Sequence, residues 1–222
     1  MQFTGEMNKK ILVSPSILSA DFSCLREDIK SVEEAGADSL HLDIMDGHFA
    51  PNISFGPALI RAIRKVTNLP LSAHLMICQP ERFIDEFIRS GCSQVSFYLE
   101  SEGEPLKMIK KLHNNGVDAG LVINPDVPVS KIEPYIDKID FVLVMSVFPG
   151  FAAQEFIPDV IPKIERLRNI APELDIAVDG GINEKTVDSV IQAGANILIS
   201  ATYIFDASDR KKAIQRLRGK NG

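Results

Sequence analysis

The sequence predicts an α/β protein folded as a single (β/α)8 barrel. Short, mostly continuous apolar runs alternate with helical segments eight times along the chain. Such runs belong to a parallel sheet covered on both faces. Eight repeats within 222 residues, 45% of them hydrophobic, suit one barrel domain better than an open doubly wound sheet. No Gly-x-Gly-x-x-Gly follows the first strand, so a dinucleotide-binding fold has little support.

The elements follow in order. Met1 to Lys10 is polar and unpatterned and reads as a disordered lead-in, with Met7 an alternative start, leaving residues 11–222 for the barrel domain. The first strand is expected over Ile11 to Ile17. A helix from about Asp21 to Ala35 follows, with Leu25, Ile29 and Val32 at helical spacing. The second strand carries His41-Leu42-Asp43-Ile44-Met45 and ends at the Asp46-Gly47 turn signal, and Pro51 stops simple continuation. Gly56-Pro57 opens a helix through Ile60, Ile63 and Val66, ended by Asn68 and Pro70. The third strand runs from Leu71 to Ile77, and Pro80 opens the next helix. The fourth is Gln94 to Leu99, its helix ending near Asn115-Gly116. The fifth, Ala119 to Ile123, stops at Asn124-Pro125. The sixth is Phe141 to Val147, ending at Pro149-Gly150, with a helix from roughly Ile157 to Asn169. The seventh is Asp175 to Val178 and the eighth Ala195 to Ser200, before a basic helix from Arg210 to Arg218.

Composition excludes several function classes. The net charge is -6 with no basic cluster, which argues against nucleic acid. Three widely spaced cysteines, Cys24, Cys78 and Cys92, form no CxxC and indicate free thiols in a reducing compartment. No apolar run reaches membrane-spanning length and the N-terminus lacks a signal-peptide core, so a soluble cytoplasmic protein is expected.

On the second strand, side chains repeat every two residues, so His41 and Asp43 share a face while Leu40, Leu42 and Ile44 share the other. A buried histidine and carboxylate are costly unless paired, either with each other or with a metal ion. In a barrel the active site lies where strands end and loops begin. There Ser16, His41, Asp43, His74, Ser146 and Asp179 converge. Two nitrogen and two oxygen ligands suit one divalent transition metal such as zinc, iron, manganese or cobalt. A second set is glycine-rich: Pro149-Gly150-Phe151-Ala152-Ala153, Asp179-Gly180-Gly181 and Ser200-Ala201-Thr202. These segments carry no Lys or Arg, so an anion there would be held by backbone N–H groups and helix dipoles. The same glycines also serve plain tight turns.

The chain resembles the ribulose-phosphate 3-epimerase family over nearly its full length. The stretches that carry the resemblance are Ser14-Pro15-Ser16-Ile17-Leu18-Ser19-Ala20-Asp21, His41 to Asn52, His74-Leu75-Met76, Asn124-Pro125, Val144-Met145-Ser146-Val147 and Val178-Asp179-Gly180-Gly181. The resemblance implies metal ligation by His41, Asp43, His74 and Asp179, with Asp43 and Asp179 as the acid–base pair. It further implies substrate contact by Ser16 and His74, a lining of Met45, Met76 and Met145, a ketose phosphate substrate and a homo-oligomer. Read without the family, those methionines are ordinary core residues. Epimerisation at C3 of a 2-ketose needs one proton carrier on each side of the substrate, and strands two and seven are expected on opposite sides of the barrel.

The departures from the family pattern cluster. Gly150-Phe151-Ala152-Ala153 stands where Gly-Phe-Gly-Gly is common, with Phe148 where Asn is usual. Ala201-Thr202 stands for Gly-Ser, Tyr98 for a histidine and Ser72 for an aspartate. An alanine forced to positive φ in these loops would cost about 1 kcal/mol or more. The altered loops also leave room for a different ketose phosphate, for example a hexulose 6-phosphate. Two other classes compete: a Schiff-base aldolase or phosphate-sugar decarboxylase, which needs a lysine that no expected strand end supplies, and a non-catalytic sugar-phosphate-binding barrel.

Overall fold

A computed structural model describes residues 9–219. Eight parallel strands form one sheet: β1 (Leu12–Pro15), β2 (Leu40–Met45), β3 (Leu71–Met76), β4 (Gln94–Tyr98), β5 (Asp118–Ile123), β6 (Phe141–Met145), β7 (Asp175–Asp179) and β8 (Ile197–Ser200). They are ordered β1-β8-β7-β6-β5-β4-β3-β2. The end strands meet through a Ser16–His41 bridge, Asp38 N–H donating to Val13 O and Ser39 Oγ donating to Ser14 Oγ, which closes the barrel. This is the (β/α)8, or TIM, barrel.

Helices α1 (Leu25–Glu34), α2 (Pro57–Arg64), α3 (Ile84–Arg89), α4 (Pro105–His113), α5 (Ile161–Ile170), α6 (Val187–Ala193), α7 (Thr202–Phe205) and α8 (Arg210–Leu217) surround the sheet. The expected boundaries shift by a few residues where short 3-10 turns take up a helix start. Phe22–Cys24 precedes α1 and Pro158–Val160 precedes α5, so neither begins where the apolar spacing does. Two features depart further. The β5–β6 connection holds only 3-10 turns, Val129–Lys131, capped by Pro128, and Glu133–Lys138, which has Pro134 in its first turn. The short α6 lies where the alternation implies a helix after the seventh strand without fixing its bounds, and α7 has no counterpart among the elements read from the sequence.

Two apolar layers result from strand alternation. Leu40, Leu42 and Ile44 pack outward with the helices, whereas Met45, Met76, Tyr98, Val122, Leu143 and Met145 fill the barrel interior. The Phe141 ring lies so close to β5 that a Cβ on Gly120 would stand 2.4 Å from it, which leaves glycine as the residue that fits. Buried Arg168 on α5 donates to the carbonyls of Gly194 and Leu174 and to Asn196 Oδ1, tying α5 to the strands behind it.

Of the expected lead-in at residues 1–10, residues 1–8, with Met7, lie outside the described residues. Lys9 and Lys10 are placed: Lys9 pairs with Asp175 at 2.6 Å and Lys10 with Asp38 at 3.1 Å. Among the described residues no helix is long and apolar enough to cross a membrane.

Candidate active site

The site lies at the C-terminal ends of the strands. Parallel register pairs Asp43 with His74 and Met45 with Met76, so these side chains and His41 face the interior together. The Asp46 carboxylate shapes the loop beyond β2. Its Oδ1 accepts from the N–H groups of His48 and Phe49, and its Oδ2 accepts from Cys78 N–H. Those bonds anchor the loop to β3 and set the Phe49 ring 4.6 Å from that of Tyr98.

His41, Asp43, His74 and Asp179 form one cluster, with a ligand atom of each within 4.8 Å of the others. His41 Nε2 is 3.2 Å from Asp43 Oδ1 and 3.7 Å from Asp179 Oδ2. His74 Nδ1 is 3.1 Å from Asp43 Oδ1, 3.9 Å from Asp179 Oδ2 and 3.4 Å from His41 Nε2. Four ligands at about 2.0–2.1 Å around a tetrahedral ion stand roughly 3.3 Å apart. The His41, Asp43 and His74 atoms are spaced near that distance, and Asp179 Oδ2 stands a little further out at 3.7 and 3.9 Å. Two buried carboxylates beside two imidazoles are the donor set such an ion takes.

The two carboxylates differ. Burial opposes ionisation of Asp43, but the adjacent His41 and His74 outweigh it and hold the acid well below the usual carboxylate range. Burial and the Asp43 charge push Asp179 up to about 7. Burial lowers both histidines; Asp43 reverses this for His41, which ends raised, whereas His74 stays lowered. Ser16 Oγ donates to Asp43 Oδ2 at 2.5 Å, fixing the oxygen turned away from the histidines. Tyr98 Oη lies 3.0 Å from His74 Nε2.

Above the cluster opens a cavity of about 250 Å³. Of the residues read from the sequence, Ser16, Asp43, Met45, Met76, Met145, Gly150, Phe151, Ala152, Ala153, Asp179, Gly180, Gly181, Ala201 and Thr202 line it. His41 and His74 lie buried behind its wall. Ser146 turns away: its Oγ is 2.9 and 2.6 Å from the backbone carbonyls of Asp179 and Gly180 and steadies the β7 end. Strands β2 and β7 are not diametrically opposed as expected, since only β1 and β8 separate them on the shorter path. The Asp43 and Asp179 carboxylates therefore reach the cavity from flanking positions.

Sequence reasoning passed over Leu18, Gln154, Asn183 and Tyr203, which also line the cavity. Gln154 Nε2 donates to the carbonyls of Phe148 and Phe151, and Asn52 Nδ2 to that of Gly150, so the β6 loop is cross-braced. Gln154 was detectable as the one amide directly after the Ala152-Ala153 pair. Among the described residues Ala153 alone, other than glycines, has positive φ, at 60°. Gly181 has φ 64°, and a Cβ there would stand 2.6 Å from Phe156 N.

Comparison with known proteins agrees with this geometry. Residues 12–205 match the profile described as the Ribulose-phosphate 3 epimerase family. The chain is 48% identical to the ribulose-phosphate 3-epimerase of Bacillus subtilis, covering 94% of this chain and 99% of that protein. It is 43% identical to the ribulose-phosphate 3-epimerase of Synechocystis, covering 96% and 95% respectively. The chloroplastic ribulose-5-phosphate-3-epimerase of Arabidopsis thaliana is 44% identical, with 94% of this chain and 76% of that protein covered. Among solved structures, a mutant tryptophan synthase alpha-subunit from Pyrococcus furiosus superposes with a TM-score of 0.71 at 15% identity, covering 96% of this chain and all of that one (100%). A thiamine phosphate pyrophosphorylase from Pyrococcus furiosus gives 0.66 at 16% identity, over 96% of this chain and 95% of that one. Those two likenesses show the barrel fold alone. The family match over most of the chain, with these relatives, places the chain in the ribulose-phosphate 3-epimerase family.

Proposed function

We propose that the protein is a metal-dependent 3-epimerase that interconverts D-ribulose 5-phosphate and D-xylulose 5-phosphate. The observation that carries this reading is a pair of carboxylates, Asp43 and Asp179, that line one cavity and share a cluster with the buried imidazoles of His41 and His74. The C3 proton of a ketose is weakly acidic, and its inversion needs a base on one face and an acid on the other. Asp43 takes the proton from C3 while Asp179 returns one to the opposite face, and the roles exchange for the reverse reaction. Ser16 orients Asp43 for this step by holding Oδ2. A divalent ion held by His41, Asp43, His74 and Asp179 would supply stabilisation of the enediolate charge at the C2 and C3 oxygens. Met45, Met76 and Met145 give the planar intermediate a polarisable wall with few polar demands. The phosphate is assigned to the backbone of Gly150–Ala153, Gly180–Gly181 and Ala201–Thr202, which ring the cavity without a Lys or Arg.

One observation favours a second reading. Ala153, with left-handed backbone at φ 60°, adds a methyl group to the loop assigned to phosphate, so that seat is not bare glycine backbone and a different ketose phosphate is the alternative substrate. A panel of ketose phosphates in deuterated water separates the two. Deuterium should enter C3 of ribulose 5-phosphate at a rate matching its turnover. Efficient exchange into a hexulose 6-phosphate beside weak exchange into ribulose 5-phosphate would favour the second reading, and none in any ketose would leave a binding barrel. Asp43→Asn and Asp179→Asn should each abolish epimerisation, with one-sided exchange surviving in at most one; near-normal turnover in either would sink the two-base assignment.

The same reading places residues 11–222 in one catalytic domain of a cytoplasmic homo-oligomer. Light scattering of the purified protein checks the oligomer.

A further inference from the structure

The two buried imidazoles of the metal cluster are supported differently. His41 turns Nε2 into the cluster, and its Nδ1 is buried with no hydrogen-bond partner among the described residues. His74 turns Nδ1 into the cluster, 3.1 Å from Asp43 Oδ1, and its Nε2 meets Tyr98 Oη at 3.0 Å. Strand register makes that second contact. β3 and β4 pair His74 with Ser96, and Tyr98, two residues further along β4, brings its ring to the same face. The Tyr98 side chain is fully buried, with the Phe49 ring packed against it at a tilt of 41°.

We infer that Tyr98 is a positioning residue for the metal centre, its hydroxyl fixing the ring orientation and tautomer of His74 so that Nδ1 presents its lone pair to a divalent cation. A neutral imidazole carries a single N–H. Ligation through Nδ1 requires that proton on Nε2, and Tyr98 Oη is the acceptor within reach. Without a cation, Asp43 Oδ1 can accept an Nδ1–H, and the Tyr98 O–H then donates to the bare Nε2. A hydroxyl serves both arrangements by rotating, whereas a carboxylate or a backbone carbonyl could only accept. The outer edge of His74 therefore keeps a hydrogen bond in both states, avoiding the cost of an unpaired buried nitrogen. Among the described residues His41 has no corresponding group, so the Tyr98 contact distinguishes the β3 ligand from the β2 ligand.

This inference rests on the proposed metal centre and not on the identity of the sugar, so its test uses zinc alone. Tyr98→Phe keeps the ring and its packing on Phe49 and removes only the hydroxyl. In competition with a chromophoric chelator, the variant should bind Zn²⁺ about 10–100-fold more weakly than the parent protein. Nitrogen-15 NMR of the histidine-labelled parent should show His74 Nε2 protonated in the zinc form and Nδ1 protonated in the stripped form. A role in packing alone would lower the unfolding temperature without moving either readout. Zn²⁺ affinity in Tyr98→Phe within twofold of the parent, or zinc coordination through His74 Nε2, overturns the inference while leaving the metal centre standing. Failure of the parent to bind Zn²⁺ overturns both. If the variant does not fold, the spectrum of the parent protein alone decides.

Discussion

Ala153 shows how one methyl group constrains a working loop. At φ 60° an L-residue with a Cβ pays about 1 kcal/mol relative to glycine. The cross-braces from Gln154 and Asn52 hold the loop around it. Ala153→Gly should therefore stabilise the protein by about 1 kcal/mol, read as a higher urea midpoint at an unchanged slope. Ala152→Gly and Ala201→Gly relieve no such strain, since Ala201 has φ -104° and Ala152 is not at positive φ, and neither should gain stability. A destabilised Ala153→Gly would mean that alanine is preferred there for its packing. At this scale the ligand set was legible in the sequence, because two histidines and two aspartates at strand ends are residue types that need partners when buried. Tyr98 was visible only as an odd residue at its position. Its contact with His74 depends on the register of two strands and on the Asp46-anchored loop that packs Phe49 over it, and no local pattern encodes that.

Among the elements, the eight strands were legible because β2, β3 and β6 are buried at every position and read as apolar runs broken only by the site residues. Their helices were less so. In α6, Val187-Asp-Ser-Val-Ile-Gln-Ala has the β-branched content of a strand, and its helix is set by the Asn183–Thr186 turn before it and by Gly194 at φ 115° after it. Four-residue α7 is too short to show a period. The β5–β6 connection lacks an α-helix, and Lys163 of α5 takes over part of its covering role by donating to the backbone carbonyls of Asn124, Pro125 and Val127. Burial lowers the pKa of this amine, with Asp126 opposing, but three carbonyl acceptors hold it in place and leave it unsuited to Schiff-base chemistry. Lys163→Met keeps the aliphatic stem and strands those carbonyls. It should destabilise the protein by about 2 kcal/mol in equilibrium unfolding while leaving the metal affinity unchanged. A variant as stable as its parent would show that water satisfies these carbonyls equally well.

Across the whole molecule, the charge state of the cluster links metal, pH and stability. In the metal-free protein Asp179 sits near 7, above its unfolded value of 3.8, so folding favours its protonated form. That contribution is fully present below about pH 4 and is lost as pH rises through 7. Stripped protein should lose stability across this window, and Asp179→Asn should flatten that loss when unfolding temperatures at pH 5 and pH 8 are compared. An unchanged pH profile in Asp179→Asn would show that Asp179 is already ionised at pH 5. Metal binding should run the other way and release protons, more below pH 7 than above it, because the cation requires the ionised carboxylate.

The join between β1 and β2 has a consequence in time as well as in space. Every other neighbouring pair of strands shares a continuous ladder, whereas these two share one bridge, the backbone bond from Asp38 N–H to Val13 O and a few side-chain bonds. Arg218 reinforces the join from the far end of the chain, donating to the carbonyls of Ile11 and Gly36 and pairing with Asp38 at 2.8 Å. It is the place where the cylinder should part first, in openings too brief to alter its average shape. Three of the four proposed ligands lie on β2 and β3, on one side of the join, and Asp179 on β7 lies on the other. An ion bound by all four would act as a clasp across the split. Hydrogen–deuterium exchange should find the β1 and β2 amides the fastest-exchanging of the barrel strands in stripped protein. Adding one equivalent of zinc should slow those amides far more than the amides of β5 and β6. Uniform slowing around the barrel would show that it opens as a single unit, with no weak join for the metal to hold shut.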